Sequence, residues 1–211
     1  MKIISHRGYW NNNDEKNSLT AFERSFDLGF GVETDVRDLN KTLIVSHDMP
    51  CGGELTLKEL FKLLEGRNLP LALNIKSDGL VDQLNQIIKE ENISDSFVFD
   101  MSVPDQFSYI KNGNISVFTR MSEYERDATF YEECEGVWLD AFHSTWYDMN
   151  LISTLLSDNK QVCIVSPELH KRDDYKMLWS LMRGSEISKD DRIILCTDFP
   201  VDAAEFFKED I

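Results

Sequence analysis

Lys2-Ile3-Ile4-Ser5-His6-Arg7-Gly8 opens the chain with an apolar, β-branched run that ends in two basic side chains and a glycine. Such a run reads as a buried strand, and its polar ending separates two architectures. Seven further runs of this kind recur along the 211 residues: Gly31–Val36, Leu71–Lys76, Ser96–Asp100, Ile115–Arg120, Gly136–Ala141, Gln161–Ser166 and Arg192–Thr197. Several are nearly continuous in apolar residues, as strands buried on both faces of a parallel sheet are. Helical patterns alternate with them, and eight such units fit either a doubly wound open sheet or a closed barrel. A dinucleotide-binding open sheet carries a Gly-x-Gly-x-x-Gly turn after its first strand. His6-Arg7-Gly8 stands there instead. The expected fold is α/β, a compact (β/α)8 parallel barrel of the TIM type with trimmed loops, in one domain over residues 1–211.

The helices announce their ends. Ser18 can cap a helix with the face Leu19, Phe22 and Phe26, and Gly29 can stop it. Thr56 and Glu59 have the spacing of a capping box, with Gly66 as the stop. Leu80, Leu84, Ile87 and Ile88 form another face, as do Leu151, Ile152, Leu155 and Leu156, and then Tyr175, Leu178, Trp179 and Met182. The segment between Arg120 and Gly136 is rich in charge and poor in period, the least helical of the connections.

Composition narrows the function. Apolar residues make up 42% and charged residues 28%, which carries no disorder signature. A formal net charge of −16 argues against nucleic acid as a partner, because that binding rests on Lys and Arg releasing counterions. It argues equally against an anionic membrane surface. No apolar run approaches the ~20 residues that span a bilayer, so no stable membrane insertion is expected. The polar residues that come so soon after Ile4 leave no signal peptide, which points to a cytoplasmic protein. Cys51, Cys134, Cys163 and Cys196 show no metal or CxxC spacing and read as small buried thiols in a reducing compartment. An anionic substrate requires a local group of cations that reverses the global field. The oligomeric state stays open.

In such a barrel the chemistry lies at the C-terminal ends of the strands, and the polar residues there are the sharpest feature of the sequence. The first strand ends in His6-Arg7-Gly8. The second carries Glu33 and Asp35 two residues apart, on one face. A short apolar run, Leu43 to Ser46, then presents His47-Asp48. The third ends with Asn74 and Lys76, again sharing a face. Two carboxylates on one buried face need a positive partner. A hard divalent cation, Mg²⁺ or Ca²⁺, suits oxygen ligands; an ion pair with Arg37, Lys76 or Arg7 is the plainer alternative. His6 and His47 can act as general acid and base, although a histidine in such a place can also be purely structural. Arg7 and Lys76 supply the positive charge that a phosphate needs.

These residues resemble the opening of the glycerophosphodiester phosphodiesterase family, part of the barrel group that includes phosphatidylinositol-specific phospholipase C. The resemblance is carried by His6-Arg7-Gly8, Asn17-Ser18, Ala21-Phe22, Gly29, Glu33-x-Asp35-Val36 and His47-Asp48. Thr197-Asp198-Phe199-Pro200 looks like the family's closing motif. The resemblance implies a metal-dependent phosphoric diester hydrolase acting on a glycerophosphodiester or related alcohol-phosphate diester, a small-molecule substrate. It implies proton exchange by His6 and His47, metal held by Glu33 and Asp35, and phosphate contacted by Arg7 and Lys76.

Two departures stand out. Asn74 replaces the family's glutamate, so the third metal ligand becomes an uncharged amide and the ion is expected to be weakly held. On that reading Asn74→Glu tightens divalent binding, unless a strand-end carboxylate such as Asp100, Asp140 or Glu168 already substitutes. The substrate-covering segment that many relatives insert after His47 is also missing. The alternative function is a divergent or degenerate member that binds a phosphorylated ligand with little turnover. Divergent specificity would draw on Arg120, Asp140, Trp146, Glu168 and His170, which otherwise read as rim residues and surface ion pairs.

Overall fold

The computed structural model describes residues 1–112 and 114–208. Among them the order is β1 (Lys2–His6), α1 (Leu19–Asp27), β2 (Gly31–Leu39), β3 (Thr42–Val45), α2 (Leu57–Leu63), β4 (Leu71–Ile75), α3 (Val81–Glu90), β5 (Ser96–Phe99), α4 (Val103–Asn112) and β6 (Ser116–Met121). Then come β7 (Gly136–Leu139), α5 (Met149–Ser157), β8 (Gln161–Val165), α6 (Tyr175–Gly184), β9 (Ile193–Thr197) and α7 (Pro200–Phe206). The strands are hydrogen-bonded in the order β1-β9-β8-β7-β6-β5-β4-β2, with β1 also pairing with β2. The fold is a closed (β/α)8 parallel barrel. β3 is a ninth strand, antiparallel to β2 from Val36↔Val45 to Leu39↔Thr42. It arises because β2 runs on past Val36 and turns at Asn40 and Lys41, both with positive φ, as a tight primed hairpin turn requires.

The chain falls into two compact units, residues 6–117 and residues 1–5 with those from Phe118 onward. In the first, Ser18 accepts a hydrogen bond from Ala21 N, and Thr56 and Glu59 form the reciprocal capping box. Phe22 and Phe26 are buried while Leu19 is exposed, so α1 presents a narrower apolar face than its sequence suggests. β4 is buried along its whole length, as its continuous apolar run demands.

Gly8 shows why a glycine comes after the first strand. Its φ is +83°, and a Cβ there would lie 2.8 Å from the backbone carbon and Cβ of Ala21. Tyr9 N donates to Ala21 O at 2.9 Å, so this turn lies directly on α1. Gly8→Ala combines a left-handed alanine with a clash against helix backbone, and should cost about 2 kcal/mol, or about 4–8 °C in Tm. Thermal melting checks this; an unchanged Tm would show that α1 yields at Ala21.

In the second unit β7 and β9 are wholly buried. No helix forms between β6 and β7 among the described residues. That segment is instead held by buried Lys160, whose Nζ donates to Tyr131 O at 2.6 Å and Cys134 O at 2.7 Å. Backbone carbonyls there are satisfied by an ammonium rather than by helix bonds. The Thr197–Pro200 stretch closes around Glu168, whose carboxylate accepts from the Thr197 hydroxyl and from Asp198 N, while Pro200 starts α7. Cys134, Cys163 and Cys196 are buried; Cys51 is exposed, because it lies in the polar loop after His47 rather than in a strand. No described helix is long and apolar enough to cross a membrane.

Candidate functional site

The site residues lie within the unit of residues 6–117. His6 ends β1. Arg7 turns the chain with φ +59°, and its backbone is tied on both sides: N to Glu33 O, and O to Asn17 N, each at 2.9 Å. A left-handed arginine costs about 1–2 kcal/mol, and these two bonds hold it. Glu33 and Asp35 share one face of β2, 2% and 0% exposed. Asp35 lies opposite Asn74 in the parallel register, and Lys76 N donates to Val36 O at 2.9 Å, which brings Lys76 to the same place.

Asp35 collects the cations. Arg7 Nε lies 2.9 Å from its Oδ2 and Lys76 Nζ 3.4 Å from its Oδ1. The ion pairs open at the sequence level are thus made with Arg7 and Lys76. Arg37 turns away, donating from Nε to His47 O at 3.2 Å. Among the described residues Glu33 has no Arg or Lys this close; His6 Nε2 is 3.9 Å from its Oε2. Burial, and then the charge of Asp35, push the Glu33 carboxyl up to about 8, against the opposing pull of Arg7, Lys76 and the Asn74 amide.

Among the described residues, Glu33 Oε2, Asp35 Oδ1 and Asn74 Oδ1 are buried and accept no hydrogen bond, with Asp35 Oδ1 facing Lys76 Nζ only at 3.4 Å. Orphaned buried oxygens are costly, and a hard divalent cation is the partner that such a donor set fits. The set stops at two carboxylates and an amide: among the described residues no three acidic, histidine or cysteine side chains gather into a metal cage.

His47 is brought to the same region by its backbone. Ser46 N donates to Asp35 O at 3.0 Å. The His47 ring is exposed and turned to its neighbour, with Nδ1 2.8 Å from Asp48 Oδ1. That contact holds the Asp48 carboxyl below its usual range, with smaller contributions from Arg7 and Arg37, so the loop lies within electrostatic reach of Arg7.

No family model matches this sequence, and no curated protein matches it. Solved structures do. A glycerophosphodiester phosphodiesterase from Agrobacterium tumefaciens aligns over 99% of both chains, with a TM-score of 0.72 at 17% identity. A glycerophosphoryl diester phosphodiesterase from Parabacteroides distasonis aligns over 99% of this chain and 86% of its own, with TM-score 0.67 and 17% identity. An Oleispira antarctica phosphodiesterase in complex with the product sn-glycerol-3-phosphate aligns over 99% and 97%, with TM-score 0.72 and 14% identity. The fold is that of the glycerophosphodiester phosphodiesterases.

Within this phosphodiesterase fold, one contact of the site escapes a reading of the sequence. Asn17, at φ +58°, donates from Nδ2 to Asp35 Oδ2 at 2.8 Å and accepts at Oδ1 from the Thr34 hydroxyl at 2.9 Å. In the sequence it belongs to the Asn17-Ser18 pair of the resemblance, and its place before the Ser18 cap points to helix entry and not to Asp35. Asp100 accepts from Asn74 Nδ2 at 3.3 Å. The other strand-end residues are engaged in their own unit. Arg120 pairs with Glu125, His170 Nε2 lies 2.6 Å from Asp140 Oδ1, and Trp146 Nε1 donates to Asp140 O at 2.7 Å.

Proposed function

We propose that this chain is a phosphoric diester hydrolase, assisted by one weakly held divalent cation, Mg²⁺ or Ca²⁺, that cleaves a glycerophosphodiester or a related small alcohol-phosphate diester. One observation carries the reading. Arg7 and Lys76 converge at 2.9 and 3.4 Å on buried Asp35, in a chain of net charge −16. This is the local reversal of charge that an anionic diester needs. The likeness in fold to the phosphodiesterases, one of them holding sn-glycerol-3-phosphate as product, supports the same substrate class.

Arg7 and Lys76 bind the non-bridging phosphate oxygens and offset the charge that grows on them as phosphorus becomes five-coordinate. Of His6 and His47, one accepts the proton of the attacking water or substrate hydroxyl as the new P–O bond forms. The other donates a proton to the departing alcohol oxygen as its bond to phosphorus breaks. Glu33, Asp35 and Asn74 would hold the cation, which supplies Lewis-acid stabilisation of a phosphoryl oxygen when bound. Arg7 and Lys76 already occupy Asp35, and this competition keeps the ion weakly held.

Asn17 acts on the reaction through Asp35. Asn17→Gly keeps the left-handed backbone and removes the amide, and should lower kcat/KM on the order of 10- to 100-fold with little change in Tm. Equal kcat/KM in the two proteins would show that Asp35 is held without it. The function itself is tested by turnover of a panel of small phosphodiesters with Mg²⁺, Ca²⁺, Mn²⁺ or chelator. Alcohol release with at least one of these ions is the expected result; none from any diester with any ion overturns the hydrolase reading. Phosphate-ligand binding without turnover would then mark the chain as a binder.

A further inference from the structure

Asn74 on β4 pairs with Asp100, just past the end of β5, and the phosphodiester reading leaves Asp100 without a use. Asn74 lies opposite Phe99 in the β4–β5 register, which puts Asp100 one residue further along. There the backbone adopts φ +66°, an unfavourable conformation for an L-residue, and the carboxylate accepts from Asn74 Nδ2 at 3.3 Å. The Asn74 amide also draws the Glu33 carboxyl down, a smaller effect than the push of burial. It is 7% exposed, and its Oδ1 is one of the three buried oxygens without a hydrogen bond.

We propose that Asp100 provides the third negative charge of the cation site, delivered through the Asn74 amide. The inference rests on the cation reading of Glu33 and Asp35. Arg7, Lys76 and a divalent ion together outweigh the two carboxylates, and a further anion one amide away reduces that excess. The hydrogen bond also fixes the amide, because engaging Nδ2 with Asp100 leaves Oδ1 as the ligand atom. A carboxylate on the NH₂ group polarises the amide and makes that oxygen a stronger donor.

This changes what Asn74→Glu does. A glutamate there meets Asp100 at the distance the amide now occupies, and two like charges at such range repel. The expected tightening therefore appears only when Asp100 loses its charge as well.

Calorimetry with MgCl₂ and CaCl₂ on the full chain tests this, with thermal melting alongside. Asp100→Asn tolerates the left-handed backbone, so it should keep Tm while weakening ion binding by about tenfold or more. Asn74→Glu alone should bind no tighter than wild type, whereas Asn74→Glu with Asp100→Asn should bind about tenfold or more tighter than Asn74→Glu alone. Asp100→Asn binding within about twofold of wild type, or Asn74→Glu alone binding as tightly as the double variant, overturns this assignment and leaves the cation reading intact. A wild-type protein that takes up neither ion overturns the cation reading, and this assignment with it.

Discussion

His6→Ala and His47→Ala should each lower kcat on the best diester by about 10²–10⁴, the contribution of a positioned general acid or base. The two differ in setting, and the difference sharpens the test. His6 ends a buried strand, so its loss should also cost a little stability. His47 is exposed, and among the described residues its ring's one polar contact is the carboxylate of Asp48, so His47→Ala should melt as wild type does. A pure kcat effect there is chemical in origin. Asp48→Ala should fall between wild type and His47→Ala, because Asp48 fixes the ring and takes no proton. Near wild-type kcat in either histidine variant would make that histidine structural and end the two-histidine scheme.

Stripping divalent ions should abolish turnover, and Glu33 should make the ion-free protein sensitive to pH. With its carboxyl pushed up to about 8 by burial and by Asp35, ion-free Glu33 carries a proton when folded and loses it when unfolded across the window between 4.5 and about 8. The folded state binds more protons in that window, so stability is full below it and declines as pH rises through it. Melts in chelator should show Tm falling by several degrees, more than about 5 °C, from pH 5 to pH 8. Glu33→Gln should flatten that profile, since its neutral amide has no proton to lose. Ion uptake must displace the same proton, so divalent affinity should rise with pH up to about 8 and level off above it. Full turnover in excess chelator would refute the cation, and a flat wild-type Tm profile would refute the protonated Glu33.

Much of this is legible in the residues alone. A strand that ends in His6-Arg7-Gly8, a period of two between Glu33 and Asp35, and the Thr56–Glu59 box are local patterns. Local patterns survive folding because backbone geometry dictates them. The connection after β6 is the least helical in sequence for a reason the structure makes plain. Lys160 binds the Tyr131 and Cys134 carbonyls there, which a helix would have used. Leu43–Ser46 reads as an apolar run, but its antiparallel pairing depends on a turn at Asn40-Lys41 that apolar spacing does not reveal.

The sequence by itself determined the alternation of strands and helices, the strand ends at which polar residues gather, and the identity of the histidines, cations and acids that meet there. Only the tertiary structure decided how they are paired. It gave Asp35 both Arg7 and Lys76, left Glu33 with His6 at 3.9 Å and no Arg or Lys close by among the described residues, and turned His47 onto Asp48. It also recruited Asn17 from 18 residues away in the chain and joined Asn74 to an acid 26 residues on. The physical reason is range. Periodicity and capping act over one turn or one strand, whereas the partner of a buried charge is set by strand register and by the left-handed bends at Arg7, Asn17 and Asp100, which exist only once the strands have been brought side by side.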